Sequence, residues 1–152
     1  MDETLINFDM INNRTVEKKG VKTVKVRSTG HEKTRFTVVL TCMADGTKLK
    51  PMVIFKRKTT PKIKFPPGIF VHFHEKGWMD ENGVKLWMEN VWQRRPDALR
   101  NQHSLLVWDM FRSHVTENTK NRLARNNTKI AVIPGGLTSM LQPLDVSLNK
   151  PF

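Results

Sequence analysis

The stretch Leu105-Leu106-Val107-Trp108-Asp109 places four apolar residues in a row and ends them on an acid. So short a continuous run suits a β-strand covered on both faces of an α/β sheet better than it suits a helix. Downstream, residues 116–125 read as a helix with Thr116 as its N-cap, and residues 129–133 as a further apolar strand stopped by Pro134-Gly135-Gly136. Gln142-Pro143-Leu144-Asp145 then reads as the first turn of a last helix, with Pro143 where a missing N–H costs least.

Working upstream, Val84, Trp87, Met88, Val91 and Trp92 recur at helical spacing and form one apolar stripe. Asp80 is the candidate N-cap of that helix, and Pro96 lies beyond its end. Residues 35–43 are rich in β-branched and apolar side chains, and Ala44-Asp45-Gly46-Thr47 supplies a turn before Met52-Val53-Ile54-Phe55, which is a hairpin pattern. Residues 21–26 interleave valine with lysine as a strand with one wet face would, residues 56–68 form a basic, proline-bearing loop, and residues 69–73 resume strand character. Several strands, then helix, strand, helix, strand and helix describe a mixed α/β domain with helices packed on a sheet.

The chain has 152 residues, 38% of them hydrophobic, which suits one domain with one modest core. Its longest apolar runs are four residues, far below the ~18 of a membrane-spanning helix. The start, Met1-Asp2-Glu3-Thr4, lacks the pattern of a secretory signal, and Cys42 is a single cysteine, so an intracellular protein without an internal disulfide is expected. His72 and His74 share one face of a strand, but no third ligand lies near them in sequence, and a structural or surface role is the simpler reading.

Twenty-six Lys and Arg against fourteen Asp and Glu leave a formal charge of +12. Fifteen of those cations, and only Glu17, Glu32 and Asp45 among acids, fall between Arg14 and Lys64. A basic surface there would attract phosphate backbones in a salt-dependent way; a solvated, solubilising face is the alternative.

In so basic a chain, acids at element ends stand out. Asp109 closes an apolar run, where α/β sheets commonly bind ligands, Asp145 lies in a largely uncharged segment, and Asp2 is a third candidate. Carboxylates brought together repel, and a divalent cation with a preference for oxygen ligands, Mg2+ or Mn2+, relieves that repulsion. Each acid also has a plain structural role available: Asp2 as a frayed terminal residue, Asp109 as a turn former, Asp145 as a first-turn acid on a helix dipole.

Asp2-Glu3-Thr4, residues 30–37 (Gly-His-Glu-Lys-Thr-Arg-Phe-Thr), residues 44–51 (Ala-Asp-Gly-Thr-Lys-Leu-Lys-Pro), Val107-Trp108-Asp109 with His114, and Leu141-Gln142-Pro143-Leu144-Asp145 with Asn149-Lys150-Pro151-Phe152 occur in order along the chain. Together they resemble the DDE-type endonuclease domain of pogo/Tigger transposases, in the mariner-like superfamily. The resemblance implies a ribonuclease-H-like mixed sheet flanked by helices and an acid triad of Asp2, Asp109 and Asp145. The thirty-five residues between the last two are similar to the family's close second-to-third spacing. It further implies cutting and joining of DNA strands in the nucleus, with Asp2 and Asp109 as main metal ligands and Asp145 completing the site. His114 resembles a recurrent family histidine, either behind the ligands or purely structural.

In the family the first acid closes the first strand, so that strand is expected to precede Asp2 and to be largely missing. Helix-turn-helix modules ahead of the domain and helical sequence after it are absent too, so residues 1–152 are expected to be a single domain truncated at both ends, its oligomeric state open. An inactive nucleic-acid-binding module and a protein-interaction scaffold are the alternative functions.

Overall fold

A computed structural model of the chain describes residues 1–9, 16–23, 30, 34–96, 98–99, 103–111, 114 and 116–148. Four strands, β1 (Asp2–Asn7), β2 (Arg35–Leu40), β3 (Met52–Lys56) and β4 (Phe70–His74), form one sheet in the order β1-β2-β3-β4. β2 is antiparallel to both β1 and β3, whereas β4 runs parallel to β3. The hairpin expected from the turn residues is present: Asp45 accepts a hydrogen bond from the Thr47 N–H at 2.8 Å, and Gly46 takes the positive φ, 87°, that a side chain would resist.

Helix α1 (Glu81–Asn90) starts where Asp80 accepts from the Gly83 N–H at 2.7 Å. Its stripe is buried whole: Val84, Trp87 and Met88, continued by Val91 and Trp92 into a 3-10 turn (Trp92–Arg94). Strand alternation turns Val39, Met52 and Ile54 of the sheet toward the same core. Two of the buried indoles pair their N–H groups, Trp87 donating to Thr41 and Trp92 to Thr128, both at 3.1 Å.

β5 (Ser104–Trp108), α2 (Glu117–Arg125) and β6 (Thr128–Val132) form a strand-helix-strand unit whose two strands pair in parallel. Thr116 caps α2 by accepting from the Thr119 N–H at 3.2 Å. Leu106 and Trp108 of β5 and Leu123 of α2 join the core formed by α1 and the four-stranded sheet, so one apolar cluster underlies both sheets. α3 (Thr138–Leu141) and a single π-helical turn (Leu144–Leu148) follow.

The architecture is the mixed α/β arrangement of sheet and helices read from the sequence, with four differences. Asp2 opens a strand within the chain: β1 runs on from it and pairs from Asp2↔Leu40 to Asn7↔Arg35. Thr4-Leu5-Ile6 has the β-branched and apolar character that such pairing favours. β5 is covered on one face only, for Leu105 and Val107 are 59% and 41% exposed while Leu106 and Trp108 are buried. The last helix begins at Pro143 as expected, but over its described residues it is a π turn (Leu144–Leu148) preceded by the separate α3. The strand expected over residues 21–26 falls mostly outside the described residues, and residues 21–23 are not strand. Among the described residues no helix is long and apolar enough to cross a membrane.

The one-sided burial of β5 separates two neighbouring leucines. Leu106→Ala is expected to cost about 2–5 kcal/mol in urea denaturation, and Leu105→Ala to stay within about 0.5 kcal/mol; equal losses would show that both faces are packed.

Candidate metal centre

Strand alternation sends Asp2 and Glu3, adjacent in sequence, to opposite sides of β1. Asp2 is only 6% exposed and forms a side-chain hydrogen bond with Asp145 on the π turn. Its carboxyl is pushed up to about 7, first by burial and then by the charges of Asp145, Glu3 and Asp109. A hydrogen bond between two carboxyl groups needs a proton on one of them, which burial and like charge here retain toward neutral pH.

Asp109 follows β5 directly. Its Oδ1 accepts from the Phe111 N–H at 3.1 Å and from His114 Nδ1 at 2.9 Å. His114 is 0% exposed, and its other nitrogen, Nε2, lies 2.9 Å from Glu3 Oε1. The imidazole stacks on Trp108, centroids 4.4 Å apart and planes 7° from parallel, and meets the edge of Phe111 at 5.5 Å. Burial alone would pull the His114 pKa down, but hydrogen bonds and charges from Asp109 and Glu3 outweigh it and raise it to about 9. The ring is therefore an imidazolium donating from both nitrogens. The His114 hydrogen bond in turn holds the Asp109 carboxyl below its ordinary value.

The structure thus brings Asp2 against Asp145 and within electrostatic reach of Asp109. Sequence reasoning missed Glu3; its position directly after Asp2 marks it only once a partner on the far side of the strand is known. Two groupings bear on a cation. Ligand atoms of Glu3, Asp109 and His114 lie within 4.8 Å of one another, but each His114 nitrogen already donates to a carboxylate. That set does not fit a cation while the bridge stands. Asp2, Asp109 and Asp145 offer only carboxylate oxygens, the donor type that Mg2+ and Mn2+ prefer, but among the described residues the acids and histidine whose ligand atoms gather within 4.8 Å are Glu3, Asp109 and His114.

His72 and His74 occupy β4, as sequence placed them. His74 lies 3.5 Å from Asp80, and its Nδ1 accepts from the Trp78 N–H at 3.3 Å, consistent with a structural role. Of the basic stretch, Lys18, Lys19, Lys22, Arg35, Lys48, Lys50, Lys56, Arg57, Lys58, Lys62 and Lys64 are exposed, whereas Arg14, Lys25, Arg27 and Lys33 lie outside the described residues.

Residues 33–152 match the DDE superfamily endonuclease family. The chain is 42% identical over 151 residues to a human protein named "Pogo transposable element with KRAB domain", covering 99% of this chain and 25% of that protein. It is 41% identical to the mouse protein of the same name, with the same coverage. A human "Pogo transposable element with ZNF domain" is 34% identical over 113 residues, 74% of this chain and 8% of that protein. The chain therefore spans about a quarter or less of the length of these curated relatives. No solved structure matches it significantly.

Both raised groups act on stability in the same direction. The contribution of Asp2 is complete below its ordinary value of 3.8 and is lost as pH rises through about 7. That of His114 is complete below 6.5 and is lost as pH rises through about 9. The Tm is thus expected to fall as pH rises from 5 to 9 in scanning calorimetry without divalent cations. Asp2→Asn should raise the Tm most at the alkaline end and progressively less toward pH 4; a Tm that climbs over this range would contradict the assignment.

Proposed function

We propose, because the chain belongs to the DDE superfamily endonuclease family, that Asp2, Asp109 and Asp145 are the catalytic acids and metal ligands of a transposase-derived domain that cuts and joins DNA. The observation that carries the reading is the shared carboxyl hydrogen bond of Asp2 and Asp145, kept protonated toward neutral pH in the electrostatic presence of Asp109. A buried site that forces a proton onto an acid in order to hold its carboxylates together is arranged for a stronger positive charge. The ribonuclease-H-like form of the domain and its work in the nucleus belong to the same proposal.

Bound Mg2+ or Mn2+ supplies the charge that favours attack on, and departure from, a phosphodiester. The chain's own residues prepare for it. Asp109 is held ionised and oriented by His114 and by the Phe111 N–H, with Oδ2 outside that hydrogen-bond set. Asp2 gives up its proton when the cation binds, so uptake near neutral pH releases protons. The exposed lysines and arginines of the stretch from Lys18 to Lys64 hold the duplex by its phosphates and contribute little base recognition. A second reading, DNA binding without cleavage, rests on those exposed cations alone.

Two measurements test the proposal and separate it from the second reading. Mg2+ is expected to raise the Tm, by an amount equivalent to about 2.7 kcal/mol when its concentration is 100 times the Kd, and Mn2+ to support nicking of supercoiled plasmid. Asp109→Asn should abolish both effects while leaving salt-dependent duplex binding unchanged. A parent chain that binds DNA but neither gains stability from the cations nor nicks plasmid would establish the second reading.

A further inference from the structure

We infer that Glu3 and His114 are positioning residues of the carboxylate centre: the Glu3–His114–Asp109 bridge ties the strand of Asp2 to the end of the strand that presents Asp109, without itself taking up the cation. The inference rests on the metal-site reading above and adds to it the device that sets the site's geometry. Asp2 belongs to β1 of the four-stranded sheet, and Asp109 follows β5 of the two-stranded sheet. Hydrogen bonds that tie this first segment to β5 and its end include the Met1 amine to the Val107 carbonyl at 3.1 Å and the bridge through His114. Glu3 is the covalent neighbour of Asp2, so pinning Glu3 to His114 pins the backbone that carries Asp2.

The bridge is built for rigidity rather than for ligation. Each His114 nitrogen has a carboxylate oxygen at 2.9 Å, so both ring nitrogens are engaged within the protein. The ring is fully buried and stacked on Trp108, which holds it in that orientation. On Asp109, one oxygen takes both the imidazole and the Phe111 N–H, which fixes the plane of the carboxyl group. Groups that orient a ligand from behind in this way typically carry about 10–100-fold in metal affinity. Because the same three side chains are close enough to surround an ion, the test must distinguish a bridge from a ligand set.

The experiment is a Mn2+ titration of the 152-residue chain, followed by electron paramagnetic resonance of the free ion, with spin-echo modulation of the bound ion. Asp109→Asn, Glu3→Ala, Glu3→Gln and His114→Gln are compared with the parent, and circular dichroism melting verifies that each variant is folded. Glu3→Ala and His114→Gln are expected to weaken Mn2+ binding about 10–100-fold, and Asp109→Asn to abolish it. Glu3→Gln, which still accepts from His114, recovers most of the affinity, and bound Mn2+ shows no nitrogen coupling from a directly ligated imidazole. Should His114→Gln fail to fold, the Glu3 pair and the spin-echo signal decide the matter. Unchanged affinity in Glu3→Ala with loss in Asp109→Asn overturns the bridge and leaves the metal site standing. Nitrogen coupling, or Glu3→Gln as weak as Glu3→Ala, makes the trio ligands and overturns the bridge. A parent chain that takes up no Mn2+ overturns the metal site and the bridge together.

Discussion

A fully buried imidazolium between two carboxylates is the contact on which the rest of this structure depends. His114 has no solvent to share its charge, and Glu3 and Asp109 stand at 2.9 Å from its two nitrogens in place of water. Removing one partner of such a buried set typically costs about 3–5 kcal/mol, because the other charges are left uncompensated in a medium that does not solvate them. The cost also enforces geometry. Glu3 sits on the first strand and Asp109 beyond the fifth, so satisfying His114 holds the two sheets in one relative position.

That position sets the electrostatics of the carboxylate centre. Asp2, crowded by Asp145 and buried, keeps its proton toward neutral pH; Asp109 is held ionised by a cation the protein supplies itself. The two environments push their pKa values apart, as sites with a chemical task commonly do. The exposed cations between Lys18 and Lys64 act at longer range. They favour an approaching polyanion and do so less at high salt, whereas the buried bridge is largely insensitive to ionic strength.

Much of the fold was legible because local rules and tertiary packing agree. The helix of Val84, Trp87 and Met88 with its Asp80 cap, the helix capped by Thr116 and the turn at Asp45-Gly46 appear where spacing and turn chemistry put them. The partial exposure of β5 was not legible, since a run of apolar residues records what a strand can bury and not which neighbours are present to cover it. Asp2, Asp109 and Asp145 stood out as acids at element ends and through the family resemblance. Glu3 did not, because its significance comes from a histidine 111 positions away. His114 carried a weak signal in sequence, and its two partners could be known only once β1 and β5 were set side by side.

The most direct measurement of the account is an anomalous difference map from crystals of the chain grown with Mn2+. The account predicts a peak within coordinating distance of Asp2, Asp109 and Asp145 carboxylate oxygens, with both His114 nitrogens still bonded to Glu3 and Asp109. A peak ligated by His114, or Mn2+ bound elsewhere with the three acids apart, would contradict it.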